Sequence, residues 1–231
     1  MSAAGPPAVW RDPLARSAQA LGISLKEHDS KRLLRYLALL NKWNRAYNLT
    51  AVRDPLAMIE RHLIDSLALL PYLRGRRILD LGTGAGLPGI PLAICSPRRR
   101  FVLLDANNKK IRFVRQVVLE LALENVQAVH QRVEAYQPPR PFDLILSRAF
   151  APMGRMLQLA DHLLGEGTTL LAMKGRFAAQ ELAEIPASYD VQLINTRAAV
   201  TEGSGQLLSV ARSEGPLRPG IGAAGDRLET P

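Results

Sequence analysis

Along the first third of the chain, apolar residues recur every three or four positions. Leu33, Leu34, Leu37, Leu40 and Trp43 make one helical stripe. Asp54-Pro55 opens a second long helix, because aspartate caps free amides and proline fits a first helical turn. Met58, Ile59, Leu63, Leu67 and Leu70 form its inner face, and Pro71 closes it. Residues 13–73 therefore predict a helical cap with no strand. From Arg76 the period changes. Short apolar runs predict strands over Ile78–Leu81, Phe101–Asp105, Val126–Gln131, Phe142–Ser147 and Thr168–Met173. Between them, Leu87–Cys95, Lys109–Leu123, Pro152–Leu164 and Ala178–Ile185 read as helices. Tyr189–Ile194 and Gln206–Ala211 bring the strands to seven. Repeated strand–helix units demand a parallel sheet covered on both faces, an α/β fold over residues 74–212. The last two strands have no helix between them and should pair antiparallel at an edge.

Residues 1–12 and 213–231 are rich in Gly, Pro and Ala, lack a period, and predict disordered ends. The chain has 231 residues and a 47% apolar share, enough for one core with a small appendage. Thirty Lys and Arg against 21 Asp and Glu give a net charge of +9, which attracts polyanions, nucleic acid first. The tail from Ser213 holds three acids and two bases, so the positive excess lies in the folded part. A single cysteine, Cys95, excludes an internal disulfide. His28, His62, His130 and His162 lack metal-ligand spacing, so no metal site is expected. No run is long enough to span a membrane and no leader is evident, so the expectation is a cytoplasmic monomer away from membranes.

The glycine-rich turn after the first predicted strand can be read in two registers. Gly84-Ala85-Gly86-Leu87-Pro88-Gly89 fits the dinucleotide pattern G-x-G-x-x-G, with Asp105 at the distance that pattern asks for. The other register is Asp80-Leu81-Gly82-Thr83-Gly84-Ala85-Gly86, an acid followed by G-x-G-x-G. Two observations favour the second. The strand ends at Leu81, so Gly82 is the first turn glycine. A carboxylate at Asp80 repels a pyrophosphate and attracts an ammonium. With Asp105 placed to accept a ribose diol, this turn suits S-adenosylmethionine. Asp105 can also cap the following helix, and Glu134 is either an adenine-side residue or a solvated loop acid.

Five stretches occur in an order that resembles one family: YNLTAVRDP (Tyr47 to Pro55), RHLIDSLALLPYL (Arg61 to Leu73), LDLGTGAGLPGIPLAI (Leu79 to Ile94), FDLILSRAF (Phe142 to Phe150) and MKG (Met173 to Gly175). Over about residues 20–212 the chain is similar to the bacterial 16S ribosomal RNA guanine-N7 methyltransferases, the glucose-inhibited division protein B family. The Gly-Leu-Pro-Gly-Ile-Pro extension is the most specific part. The resemblance implies a class I S-adenosylmethionine-dependent methyltransferase fold, Rossmann-like, with a seven-stranded sheet and an N-terminal helical cap. It implies S-adenosylmethionine as donor and a guanine in the decoding region of 16S RNA, in the small ribosomal subunit, as acceptor. For donor binding it implies Gly82, Leu87, Val133, Glu134 and Arg148, beside the Asp80, Gly84 and Asp105 read from the turn. The alternatives are a non-enzymatic RNA-binding assembly factor and a small-molecule methyltransferase. The intact glycine turn counts against the first, and the charge and cap stretches against the second.

Guanine N7 carries a lone pair and no proton, so transfer to it needs positioning and no general base. No catalytic residue is assigned. Arg148 and Lys174 are positioning candidates, Lys174 as an RNA or substrate contact. Phe150 could stack on the target base, although core packing suits it better. His62 and Asp65 lie three apart on one helix and predict a structural hydrogen bond between cap and catalytic part. Arg74-Arg76-Arg77, Arg98-Arg99-Arg100 and Lys109-Lys110-Arg112 are candidate RNA contacts.

Overall fold

The computed structural model describes residues 6–148, 152–174, 179–195 and 206–213. Order begins earlier than the composition of the first twelve residues suggests. Ala8–Trp10 forms a 3-10 turn that runs straight into helix α1, Arg11–Ala20, and Trp10 is only 7% exposed. One buried indole outweighs the local Pro and Gly content. Of the tail expected to be disordered, 213–231, residues 214–231 lie outside the described residues.

Helix α2, Glu27–Tyr47, buries Leu33, Leu34, Tyr36, Leu37 and Leu40 and ends where Asn48 adopts the left-handed conformation, φ 49°. Helix α3, Pro55–Met58, starts as its sequence requires: the Asp54 carboxylate accepts the Ala57 amide at 2.7 Å. It continues through a π-helical turn, Ile59–Ile64, into the short helix α4, Asp65–Leu67. The long second cap helix is therefore present, but its middle is wound more widely than a 3.6-residue period describes.

The strands are β1 Arg77–Leu81, β2 Arg100–Asp105, β3 Val126–His130, β4 Leu144–Arg148, β5 Thr169–Lys174, β6 Tyr189–Asn195 and β7 Gln206–Arg212. Helices α5 Gly89–Cys95, α6 Asn108–Glu120, α7 Met153–Ala160 and α8 Ala179–Ala183 alternate with them. They form one sheet in the order β3-β2-β1-β4-β5-β7-β6. The four pairings from β3 to β5 follow the parallel expectation, and β7 lies antiparallel between β5 and β6.

Two apolar layers sandwich the sheet. One contains the cap (Leu14, Leu37, Met58, Leu63) together with Ile78, Leu103, Leu146, Ile90 and Phe113. The other contains Leu79, Leu104, Ile145, Leu170 and the inner face of α7. The cap and one sheet face thus share a core, so residue 73 marks a change of architecture and no gap in packing. Side chains alternate across a strand. Ile78, Leu103 and Leu146 face the cap, so Asp80, Asp105 and Arg148, each two residues further on, face it too. Leu170 and Ala172 face the other layer, and so does Lys174.

Candidate functional site: a carboxylate-lined crevice beneath the cap

Parallel strands end together, so β1, β2 and β4 deliver Leu81, Asp105 and Arg148 to one edge of the sheet. That edge, where strand order reverses on either side of β1, is the usual ligand crevice of such folds. The chain turns there on three glycines with left-handed backbones: Gly82 at φ 70°, Gly84 at φ 60° and Gly86 at φ 90°. A side chain is disfavoured at all three. Their surroundings differ. A Cβ at Gly86 would lie 2.5 Å from Ile90, and one at Gly89 would lie 2.6 Å from the Asp80 carboxylate. A Cβ at Gly84 would enter open space, with the Gly82 carbonyl and the Lys110 ammonium nearest at 3.9 Å. Gly86 and Gly89 are packing glycines; Gly84 leaves room over the turn.

Asp80 is completely buried. Its Oδ2 accepts the Thr83 hydroxyl at 2.6 Å and the Gly89 amide at 2.8 Å, while its Oδ1 is buried with no partner. Burial pushes its pKa up to about 7; the two hydrogen bonds oppose this, as does Arg148, and Asp105 adds to it. A buried carboxylate oxygen without a donor is costly and invites a cationic or hydrogen-bonding ligand. Asp105 accepts the Gly84 amide on Oδ2 at 2.9 Å and the Asn107 amide on Oδ1 at 2.7 Å. It does not cap α6. Asn107 does, accepting the amides of Lys109 and Lys110. Asp105 instead braces the glycine turn from the neighbouring strand.

The remaining expected donor residues line the same edge. Leu87 is buried at 9% exposure beside the turn, and Val133 is buried at the start of the single 3-10 turn Val133–Ala135 that follows β3, with Glu134 exposed beside it. Arg148 closes β4. Its Nη2 donates to the Arg61 carbonyl at 2.7 Å and lies 3.8 Å from Asp65 Oδ2, and its Nη1 is buried without a partner.

Several expectations change. Lys174 does end β5 at the crevice edge, but on the sheet face away from Asp80 and Arg148. Its ammonium pairs with Glu181 at 2.6 Å, and the other Glu181 oxygen accepts the Met153 amide at 3.0 Å, so Glu181 fastens α8 to β5 and to α7. His62 does not bridge cap and sheet. Its Nε2 bonds the Thr50 hydroxyl at 2.8 Å, inside the cap, and the bridge is made by Asp65. Burial, reinforced by the charge of Arg148, lowers the His62 pKa to about 4, which leaves it neutral at ordinary pH. Burial raises that of Asp65 to about 6, against the opposing charge of Arg148. Phe150 lies outside the described residues.

The basic groups separate by strand polarity. Arg77 opens β1 and Arg100 opens β2, so the 74–77 and 98–100 groups sit at the edge opposite the crevice. Arg77 there donates to the Pro141 carbonyl and covers the Phe142 ring at 5.2 Å, and Arg99 donates to the carbonyls of Gly75 and Leu73. Only Lys109, Lys110 and Arg112, in the first turns of α6, adjoin the crevice.

Two residues escaped the reading of the sequence. Thr83 holds Asp80; its signal was a hydroxyl three residues after the acid. Tyr36, buried on the apolar stripe of α2, donates its hydroxyl to the Ala85 carbonyl at 2.9 Å and so ties cap to glycine turn.

Residues 29–208 match the family model described as rRNA small subunit methyltransferase G. The chain belongs to this family. It is 52% identical over 182 residues to the ribosomal RNA small subunit methyltransferase G of Pseudomonas aeruginosa, covering 78% of this chain and 85% of that one. Against the protein of the same name from Marinobacter nauticus it is 46% identical over 206 residues, covering 89% and 96%. Among solved structures it is similar to the N-methyltransferase NodS of Bradyrhizobium japonicum in complex with S-adenosyl-L-homocysteine. That match has a TM-score of 0.54 and 13% identity, and covers 75% of this chain and 100% of that one. A protein of the NADB-Rossmann superfamily from Streptococcus agalactiae gives the same TM-score at 15% identity, covering 64% and 67%. Both bear out the Rossmann-like expectation at the level of fold.

Proposed function

We propose that this protein transfers a methyl group from S-adenosylmethionine to N7 of a guanine in the RNA of the small ribosomal subunit. The observation that carries the donor half is Asp80: a buried carboxylate, anchored on one oxygen and without a partner on the other, under the glycine turn. The family supports the RNA half, and the charge of +9 agrees with it. The reading includes a cytoplasmic, monomeric enzyme, as a ribosomal substrate suggests. Among the described residues no helix is long and apolar enough to cross a membrane.

Held in this crevice, S-adenosylmethionine supplies an electrophilic methyl group on a cationic sulfur. Asp80 Oδ1 would hold the donor's ammonium, Asp105 and the turn it braces would take the ribose, and Val133 and Glu134 would take the adenine. Arg148 Nη1 takes an anionic or carbonyl oxygen. A guanine N7 lone pair would take the methyl group as the C–S pair returned to sulfur, and positive charge would move from sulfur to purine. No proton leaves N7, and a His62 held neutral inside the cap has none to take. The protein's part is alignment and a fixed negative field around a moving positive charge.

Calorimetry with S-adenosylhomocysteine tests the donor half. The wild type should bind, and Asp80→Asn should weaken binding about tenfold or more, as expected for a hydrogen-bonded charge. Gly84→Ala, which meets no atom closer than 3.9 Å but strains a left-handed backbone, should weaken binding more than it lowers the melting temperature. Binding of NAD in place of S-adenosylhomocysteine would sink the reading.

A further inference from the structure

The π-helical turn in the cap leaves a carbonyl over. The Asp65 amide bonds Glu60 five residues back, and the Ala68 amide bonds Ile64 four back. Between those bonds lie three carbonyls, Arg61, His62 and Leu63, and two amides, Ser66 and Leu67. Three carbonyls face two amides, so the wide turn offers a carbonyl to side chains. Side chains fill the deficit: Ser66 Oγ donates to the His62 carbonyl, and Arg148 Nη2 donates to the Arg61 carbonyl at 2.7 Å. Arg148 comes from β4, 87 residues away. Asp65 stands one turn further along, 3.8 Å from the same Nη2. The guanidinium is therefore held from the cap side by one nitrogen, while Nη1 is buried and unpartnered, on the sheet face that also carries Asp80.

We propose that Asp65 is a positioning residue of the donor site: with the Arg61 carbonyl it holds Arg148 by Nη2, aims Nη1 into the crevice, and so couples donor binding to the cap. The inference rests on the donor reading above. Its geometry explains why a cap contributes to a site built on strand ends. A guanidinium reaches two partners in fixed directions, so fixing one nitrogen fixes the other. It also gives the wide turn a purpose, since a regular helix would have no carbonyl to offer.

The test is a double-mutant cycle on S-adenosylhomocysteine affinity, using the full chain. Asp65→Asn keeps the shape and removes the charge; it should weaken binding about fivefold, the scale of a partly exposed ion pair. Asp65→Glu should restore part of the loss. Arg148→Gln should weaken binding more, and the double variant no further than Arg148→Gln alone, because Asp65 acts only through Arg148. Melting of the ligand-free variants should stay close to wild type. Hydrogen exchange gives a second readout that needs no Asp65 variant: ligand should slow exchange over residues 59–67 in the wild type and not in Arg148→Gln. Losses that multiply in the double variant, an Asp65→Asn affinity equal to wild type, or unchanged exchange in the cap would each overturn the proposal while leaving the donor reading in place. A wild type that binds no S-adenosylhomocysteine would overturn both.

Discussion

Asp80 concentrates the chemistry of the site in one side chain. Its raised pKa, about 7 through burial, means that the ligand-free fold holds a proton there that the unfolded chain releases. Such a group stabilises the fold below the ordinary aspartate range, and the contribution is lost as pH rises through about 7. An ammonium placed at Oδ1 reverses the preference and expels the proton. Donor binding at pH 6 should therefore release protons, seen as a calorimetric heat that varies with the ionisation enthalpy of the buffer. At pH 6 the effect should be absent in Asp80→Asn; buffer-independent heat at pH 6 in the wild type would contradict the assignment. His62 has the opposite shift. Its pKa, lowered to about 4 by burial, makes its contribution to stability full above the ordinary histidine range, and that contribution is lost as pH falls towards 4. With saturating donor, methyl transfer should be flat between about pH 6.5 and 8.5, with no limb near the histidine value. A histidine-like limb removed by His62→Ala in a stable protein would place His62 in the catalytic apparatus.

At the scale of elements, alternation along three strands decides most of the site. Asp80, Asp105 and Arg148 share a parity with buried residues of the cap-side core, and Lys174 has the other. That much was legible in the sequence, as were the antiparallel pairing of the last two strands and the start of α3 at Asp54-Pro55; the placing of β7 between β5 and β6 was not. The π-helical turn was not, because an apolar stripe fixes which residues are inside and leaves the winding between them open. Nor was the Asp65–Arg148 contact, which joins residues far apart in the chain through the shared core. Strand polarity was legible but went unused for the arginine groups, which by position belong to the far edge. It yields a direct test. Charge reversal at Lys109 and Arg112 should raise KM for small-subunit RNA about tenfold, with a shallower salt dependence, since fewer phosphates are neutralised. Reversal at Arg98 and Arg100 should leave KM within about twofold. Equal losses from both pairs would mean that RNA does not approach over the α6 end of the crevice.

Over the whole molecule, the cap is part of the fold. Leu14, Leu37, Met58 and Leu63 bury their side chains in the same layer as Ile78, Phe113 and Leu146. Residues 74–213 expressed alone should expose that layer and fail to give a folded monomer, while the full chain should unfold in one transition. Leu37→Ala should lower stability by about 3 kcal/mol without splitting that transition, as for a fully buried leucine. Two separable transitions would show the cap to be an independent unit. The charge of +9, the crevice at the strand ends and the family converge on one central claim, methyl transfer to small-subunit RNA. Its most direct measurement is single-turnover reaction with S-adenosylmethionine labelled in the methyl group, offered small-subunit particles and naked 16S RNA that lack the modification, followed by mapping of the label. The account predicts label on N7 of one guanine in the decoding region, absent with Asp80→Asn. Label elsewhere in the RNA, label on protein, or donor binding with no transfer to either substrate would contradict it.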